Sequence, residues 1–355
     1  TLPSPSPSAN PVGVIRKAYV SHSAPPSVES GPSGFKQFFL GKPIPSHLAH
    51  HERLSRVTGL AVLSSDALSS VAYATDFILI TLLVAGTGTV GYLLPIALVI
   101  AALLAVVAFS YQQTIHAYPT GGGAYIVAKE NISATAGLVA AASLLVDYTL
   151  TVSVSISAGV LAITSAFPSM DGFRVELCLL FLAVLMLGNL RGIRESGRIF
   201  AVPTYFFVFA VFGLIAAGAY RYFTGTLVPL QLPPPANTGS VPLTSFLLLT
   251  AFANGCTALT GIEAISDGVP AFKPPEARNA ATTLLIMAVC AVVMFSGVTL
   301  LADAYHVIPR HEETVISQLN RAILGGRGPI YYMVQAATTM ILILAANTAF
   351  SDKKP

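Results

Sequence analysis

The chain has 355 residues, of which 54% are hydrophobic and only 10% are charged, and its formal net charge is +3. Because soluble domains carry about 25% charged residues, this composition excludes an ordinary soluble domain and indicates a protein whose solvent is lipid. The basic residues lie between apolar runs and do not form one stripe, which excludes a nucleic-acid-binding surface.

The N-terminal residues 1–50 are rich in Ser and Pro and lack an apolar core. They predict a disordered cytoplasmic tail and not a signal peptide, because no apolar run followed by a cleavage site is present.

Residues 51–350 are predicted to form a transmembrane domain. A spanning helix needs about 20 mostly apolar residues, and the third apolar run is long enough for a tilted helix. We predict eight spans, near 57–84, 92–115, 134–166, 175–190, 199–220, 243–265, 280–302 and 329–350.

The basic residues of the loops predict which end of the domain faces the cytoplasm. The first outer loop, 86–91, carries no charge, whereas the inner loops carry many basic residues. This bias in the short loops favours a cytoplasmic N-terminus. The inner basic residues are then Arg53, Arg56, Lys129, Arg191, Arg194, Arg198, Lys273 and Arg278.

The first span is interrupted by polar residues. Asp66 lies among four serines: Ser64, Ser65, Ser69 and Ser70. A carboxylate in the middle of a membrane costs about 2.5–3.5 kcal/mol on insertion scales, and serines can hold backbone groups that are freed where a helix unwinds. The pattern predicts a discontinuous helix at a binding site. The alternative is a solvated helix end, given Arg53 and Arg56 upstream.

The sixth span repeats this pattern. The order acid, alanine, branched aliphatic residue and serine occurs at Asp66–Ser69 and again at Glu263–Ser266. Interrupted segments at corresponding positions of two halves point to the binding site of a transporter. The alternative is that Glu263 is an acid at the inner helix end, paired with Lys273 or Arg278.

The third span carries a polar stripe. Asp147, Thr151 and Ser155 recur every four residues, so they share one face of a helix. Such a stripe often marks a hydrogen-bonded seam between helices, but an intramembrane acid usually faces a cavity or a partner. We expect Asp66, Asp147 and Glu263 to converge on one cavity, since three isolated acids in hydrocarbon would cost roughly 8–10 kcal/mol.

The loop after the second span, Pro119–Tyr125, contains three consecutive glycines, which permit close backbone approach and unusual dihedral angles. The sequence has no nucleotide-binding motif, no hydrolase signature and no metal-ligand spacing. We therefore expect no enzymatic activity, no cofactor and no metal ion other than a transported one.

Four features together resemble the amino acid–polyamine–organocation (APC) superfamily. They are the broken first span, the Pro-x-Gly-Gly-Gly-x-Tyr loop at Pro119–Tyr125, the Asn-x-Arg-Gly loop at Asn189–Gly192 and the Gly-Ile-Glu-Ala break at Gly261–Ala264. The run Leu63–Thr75 is similar to the KimA-type branch of potassium importers, which are relatives of the KUP transporters. The resemblance implies an all-α inverted-repeat fold, with spans 1–5 mirrored by spans 6–10, and proton-coupled potassium uptake at the plasma membrane.

The resemblance also implies a cation site. Carried over position by position, its residues would be Asp66, Tyr73, Asp147, Tyr148, Thr151, Ser155, Thr260 and Glu263. The transported ions would be K⁺ and H⁺, with Asp147 or Glu263 the better candidates for the proton. The expected partners are a small cation and the lipid bilayer, without nucleic acid, and a homodimer is allowed for.

An amino acid permease on the same fold is the alternative function. Such carriers hold an α-carboxylate with unwound glycine-rich backbone and helix N-termini. The break in the first span has no glycine, and Asp66 would repel a carboxylate, whereas hydroxyl and carboxylate oxygens suit a bare cation. Gly261 in the sixth span keeps the amino acid alternative open.

The resemblance predicts, finally, that the chain is C-terminally incomplete. Relatives continue through further spans, often to a cytosolic regulatory domain, whereas residues 351–355 close this sequence and are expected to be a truncated end. A third hypothesis is therefore a transport-inactive fragment whose second repeat lacks two spans.

Overall fold

The computed structural model describes residues 53–190, 197–231, 233, 239 and 241–351. This part of the chain is helical, and its β-structure consists of two isolated bridges, Leu54 with Phe272 and Arg310 with Glu313. The all-α class is thereby confirmed. The predicted tail 1–50, the basic loop 191–196 and the end 352–355 lie outside the described residues, so the predictions about them stay predictions.

Thirteen α-helices form within the described residues, and short 3₁₀ turns join several of them. In chain order they are α1 Arg56–Leu63, α2 Ser65–Ser69, α3 Ala74–Leu83, α4 Leu93–Ala117, α5 Gly123–Asn131, α6 Ala134–Ala166, α7 Arg174–Leu190, α8 Gly197–Phe223, α9 Ser245–Gly255, α10 Glu263–Asp267, α11 Glu276–Ala304, α12 Val315–Leu324 and α13 Pro329–Ser351.

Seven helical segments of the described chain are long and apolar enough to cross a membrane. They correspond to seven of the eight predicted spans. The fourth predicted span, 175–190, forms helix α7, of which 17 residues are described up to Leu190, where the undescribed residues 191–196 begin; its crossing of the membrane stays a prediction. The seven segments are Ser65–Leu83, Thr87–Ala117, Ala134–Ala166, Phe200–Phe223, Ser245–Asp267, Glu276–Ala304 and Pro329–Ala349.

The broken first span runs through the centre of the bundle. In an 18-residue apolar stretch of its membrane-crossing part, Ser65–Leu83, 89% of the residues are buried, whereas the figure is 28% for the corresponding stretch of the third span, Ala134–Ala166. Large apolar side chains such as Leu98, Phe109 and Phe209 are exposed on the surrounding helices. They provide the surface that faces lipid, so the polar residues of the first span lie far from the hydrocarbon.

The helices follow the same order in two halves of the chain. A broken span (α1–α3, and later α9–α10) is followed by an unbroken one, a short helix and another long span, namely α4, α5 and α6 and later α11, α12 and α13. The equivalent helices pack against each other, α4 on α11 and α6 on α13. This is the order of elements expected of an inverted-repeat transporter fold.

Serine and threonine side chains fix where several helices begin. Each accepts a hydrogen bond from a backbone N–H of the first turn, which satisfies one of the donors left free at a helix start. The capping residues are Ser55 for α1, Ser133 for α6, Thr244 for α9 and Thr314 for α12. Helix α12 lies in the loop after the seventh span, where the sequence analysis predicted no helix.

Candidate functional site

The first span is interrupted where the sequence predicts it. Helix α1 ends at Leu63, and a short helix and a 3₁₀ turn precede the restart at Ala74. The carbonyl oxygen of Asp66 accepts hydrogen bonds from the hydroxyls of Ser69 (2.8 Å) and Ser70 (3.1 Å). Asp66 is only 4% exposed, so it is not the solvated helix end that the sequence left open. The serines hold the backbone where the helix unwinds, as expected.

The sixth span is broken beside the first. Helix α9 ends at Gly255, and the chain resumes a helix only at Glu263. Gly261 has φ +78°, in the left-handed region that favours glycine. A Cβ atom at Gly261 would lie 2.7 Å from the amide nitrogen of Ala67 and 2.8 Å from Oδ2 of Asp66. Glycine is therefore needed here both for its dihedral angle and for the contact between the two breaks.

A cluster of hydroxyls joins the two breaks. The Ser70 hydroxyl lies 3.1 Å from that of Tyr73 and 2.9 Å from that of Thr260. Ser155 of the third span approaches the same tyrosine hydroxyl. Three predicted site residues, Tyr73, Thr260 and Ser155, are thus brought together from three spans, and Ser70 is their shared neighbour.

A second cluster contains carboxylates. Glu263, which is 6% exposed, lies within electrostatic range of Asp147 in the third span and of Asp267. Tyr111 of the second span faces the same three acids. Among the described residues the charges that act on Glu263 are acids, so the alternative pairing with Lys273 or Arg278 is not observed. The convergence of these acids with Asp66 on one wet cavity stays a prediction.

Thr151 and Tyr148 are two further predicted site residues of the third span. Thr151 is buried at 4% exposure, beside the helix turn that carries Ser155. The ring of Tyr148, in contrast, packs in a separate apolar cluster between the third, fourth and eighth spans, with Val152 and Leu185. The shared face predicted for the stripe is present, but the tyrosine ring contributes to packing between helices.

The glycine loop contacts the end of the broken sixth span. Gly121 and Gly123 have φ +82° and +40°. A Cβ atom at either glycine would overlap Asp267, at its carbonyl oxygen and at its carboxylate respectively. The close approach predicted for this loop is confirmed, and the loop after the second span is fitted against the residue that faces Glu263.

Sequence reasoning missed several polar residues of the core. Asp76 in the first span is 7% exposed, and its Oδ1 accepts a hydrogen bond from the backbone N–H of Val315 at 2.9 Å. The cost of an intramembrane acid was a signal that could have identified it. Tyr111 and Asp267 have no comparable pattern, because their role depends on which helices meet.

One end of the bundle, called here the Arg53 end, is closed by contacts between the segments flanking the two broken spans. Leu54 exchanges backbone hydrogen bonds with Ala271 (2.8 Å) and Lys273 (2.9 Å). Arg53 forms an ion pair with Glu276 at the start of the seventh span. The approach to the first span is therefore tied to the exit of the sixth.

The opposite end, called here the Arg310 end, contains a cavity of about 280 Å³ between the first, third and eighth spans. Its lining includes Tyr73, Asp76, Ser153 and Arg310. The two ends of the bundle therefore differ: one is held shut by backbone pairing, and the other has a space that reaches the tyrosine of the hydroxyl cluster.

Comparisons with known proteins agree with this architecture. The sequence model of the amino acid permease family matches residues 54–351. The chain is 49% identical over 321 residues to the potassium transporter KimA of Bacillus subtilis, an alignment that covers 89% of this chain and 52% of KimA. It is 24% identical over 170 residues to the low-affinity putrescine importer PlaP of Escherichia coli, covering 47% of this chain and 36% of PlaP. The chain thus spans about half the length of KimA.

Proposed function

Since this chain belongs to the amino acid permease family, we propose that it is a secondary transporter that takes up potassium across the plasma membrane with proton coupling. The family consists of transporters, so the protein is assigned to transport and not to enzymatic catalysis. The relative at 49% identity bears the name of a potassium transporter, whereas the putrescine importer matches less than half of the chain at 24%.

The observation that carries the proposal is the oxygen-lined junction of the two broken spans. The Ser70 hydroxyl lies 3.1 Å from that of Tyr73 and 2.9 Å from that of Thr260. The carboxylate of Asp66 lies against the break at Gly261. Hydroxyl, carbonyl and carboxylate oxygens are hard ligands that replace the hydration shell of a small cation. Asp66 supplies the negative charge that a bare cation requires.

The same charges argue against an amino acid. If Asp66, Glu263 and Asp147 converge on one cavity, the α-carboxylate of an amino acid would lie among them, and like charges in a low-dielectric site repel each other strongly. A primary amine such as putrescine lacks a carboxylate, so it is the competing substrate that the charges allow. The hydroxyl pairs at 2.9 and 3.1 Å favour potassium, since they place hydroxyl oxygens at the junction and not an apolar surface that would suit methylene groups.

Proton coupling is assigned to the second cluster. Glu263 and Asp147 lie close enough to interact. Two neighbouring carboxylates repel each other when both are ionised, so the pair binds one proton more readily than an isolated carboxylate does. Binding of potassium at Asp66 and protonation at Asp147 or Glu263 would then occur at adjacent positions along the same pair of broken spans.

We assign the direction of uptake from the predicted topology. We place the Arg53 end in the cytoplasm because the short inner loops carry the basic residues. The Arg310 end then faces the outside and holds the cavity, while the cytoplasmic end is closed by the Leu54 and Arg53 contacts. Alternating access requires this closure to open once the site is loaded.

Growth of potassium-uptake-deficient cells on low-potassium medium tests the proposal. The full-length protein is expected to restore growth, Asp66→Asn to abolish it, and Glu130→Gln, an exposed acid on α5, to restore it fully at equal expression. Full rescue by Asp66→Asn would contradict the role of Asp66. Uptake of putrescine or an amino acid, with no response to potassium, would move the assignment to the alternative substrates.

A further inference from the structure

The cavity at the Arg310 end contains a buried acid that the central site does not use. Asp76 is 7% exposed, and its Oδ1 is occupied by the backbone N–H of Val315. Its second oxygen, Oδ2, is buried and has no hydrogen-bond partner in the part of the chain that the structure describes. A buried carboxylate oxygen without a partner is costly, so a water or an ion is expected to satisfy it.

The walls of the cavity supply further oxygens. Ser153 and Ser157 of the third span line it on one side and Thr314 and Thr338 on the other. Both serine hydroxyls donate their hydrogen to a carbonyl one turn earlier in their own helix. The lone pairs of Ser153 therefore remain available to accept or to coordinate, whereas the Ser157 hydroxyl also meets the thiol of Cys178. The volume of about 280 Å³ has room for a cation that keeps several water molecules.

The cavity also holds one fixed positive charge. Arg310 lines it and donates one hydrogen bond to the carbonyl of Pro233 at 3.0 Å, while its buried Nε has no partner among the described residues. Asp76 and Arg310 together leave the cavity near neutrality. An arriving cation must then compete with a tethered one, which weakens its binding and allows it to move on, as conduction through successive sites requires.

Tyr73 connects this cavity to the central site. Its ring lines the cavity together with Phe77, and its hydroxyl faces Ser70 in the hydroxyl cluster. We propose that the cavity is an outer loading site for a monovalent cation, with Asp76 as its anionic ligand and Tyr73 as the partition that the ion passes to reach Asp66. This inference rests on the proposed function and adds a second ion position to it.

A purely structural role for Asp76 is the competing explanation. A carboxylate at the N-terminus of α12 stabilises the helix through the dipole and the free N–H groups. Asp76→Asn separates the two roles, because the amide oxygen still accepts the bond from Val315 while the negative charge is removed. Asp303→Asn is the matched control, since it removes an acid at the Arg310 end of the seventh span that does not line the cavity.

Equilibrium binding of radioactive rubidium, used as the potassium probe, to the purified full-length protein tests the inference. The wild type is expected to show a tight and a weak class of sites. Asp76→Asn should lose the weak class, Asp66→Asn the tight class, and Asp303→Asn neither. Arg310→Gln should tighten the weak class by about tenfold, which is about 1.4 kcal/mol, and it keeps the test decisive if Asp76→Asn folds poorly.

Three results would each contradict a different part of the proposal. An isotherm of Asp76→Asn that matches the wild type, while Asp66→Asn loses the tight class, leaves the central site intact and shows that Asp76 only anchors α12. An isotherm of Asp66→Asn that matches the wild type counts against the proposed function itself. Loss of both classes in Asp303→Asn would attribute the effect to surface charge and overturn the loading site.

Discussion

Substitution of Gly261 by alanine probes the contact between the two broken spans. The residue has φ +78°, and the added methyl group would lie 2.7 Å from the backbone nitrogen of Ala67 and 2.8 Å from the side chain of Asp66. Neither neighbour is the flexible end of a long side chain. The first and sixth spans must therefore separate, and the proposed potassium ligands separate with them.

The magnitude follows from two contributions. An alanine in the left-handed region costs roughly 1–2 kcal/mol, and forcing a methyl group into a packed site costs roughly 1–3 kcal/mol. The sum is about 2–5 kcal/mol. If the spans separate to relieve this strain, potassium binding weakens, and about 2 kcal/mol already corresponds to about thirty-fold in affinity.

The assay compares Gly261→Ala with Gly213→Ala in the full-length protein. Gly213 lies on α8 with open space around its Cβ position, and alanine is the better helix former there. Rubidium binding and the thermal unfolding midpoint are expected to be normal or improved for Gly213→Ala and strongly reduced for Gly261→Ala. Equal affinities and midpoints for the two variants would refute the contact argument.

Three further substitutions follow from the hydrogen bonds. Ser70→Ala removes the shared neighbour of the hydroxyl cluster and should weaken rubidium binding by about tenfold, within the 1–3 kcal/mol range for such losses; an unchanged isotherm would remove Ser70 from the site. Thr75→Val leaves the buried hydroxyl of Thr299, its partner at 2.9 Å, unsatisfied. The free energy of unfolding should fall by about 1–3 kcal/mol and should recover when Thr299 is also replaced by valine. Glu313→Gln breaks the two-bond pair with Arg321, in which the Glu313 side chain is only 12% exposed. Thermal unfolding should show a loss of about 1–3 kcal/mol, and an unchanged unfolding midpoint would contradict the ion-pair explanation.

The local features of the membrane domain were determined by the sequence itself. The length of each apolar run predicts a spanning helix, since about 20 residues are needed to cross the hydrocarbon. Asp66 with its serines, and Glu263 with Gly261, mark the two breaks, because polar groups at that depth are costly unless the helix unwinds around a site. The three glycines of the loop after the second span likewise predict a close approach of that backbone to a neighbouring segment. In each case the physical cause lies within a few neighbouring residues.

The tertiary structure alone decided which of these features meet. Asp76 binds the N–H of Val315, 239 positions away in the chain, and no local pattern records that helix α12 begins there. Tyr148 is the sequence neighbour of Asp147 in the polar stripe, yet its ring packs against the fourth and eighth spans. Helix packing in a membrane depends on shape and hydrogen bonding between surfaces far apart in sequence. The position of a polar residue along a span was therefore predictable, whereas its partners across the bundle were not.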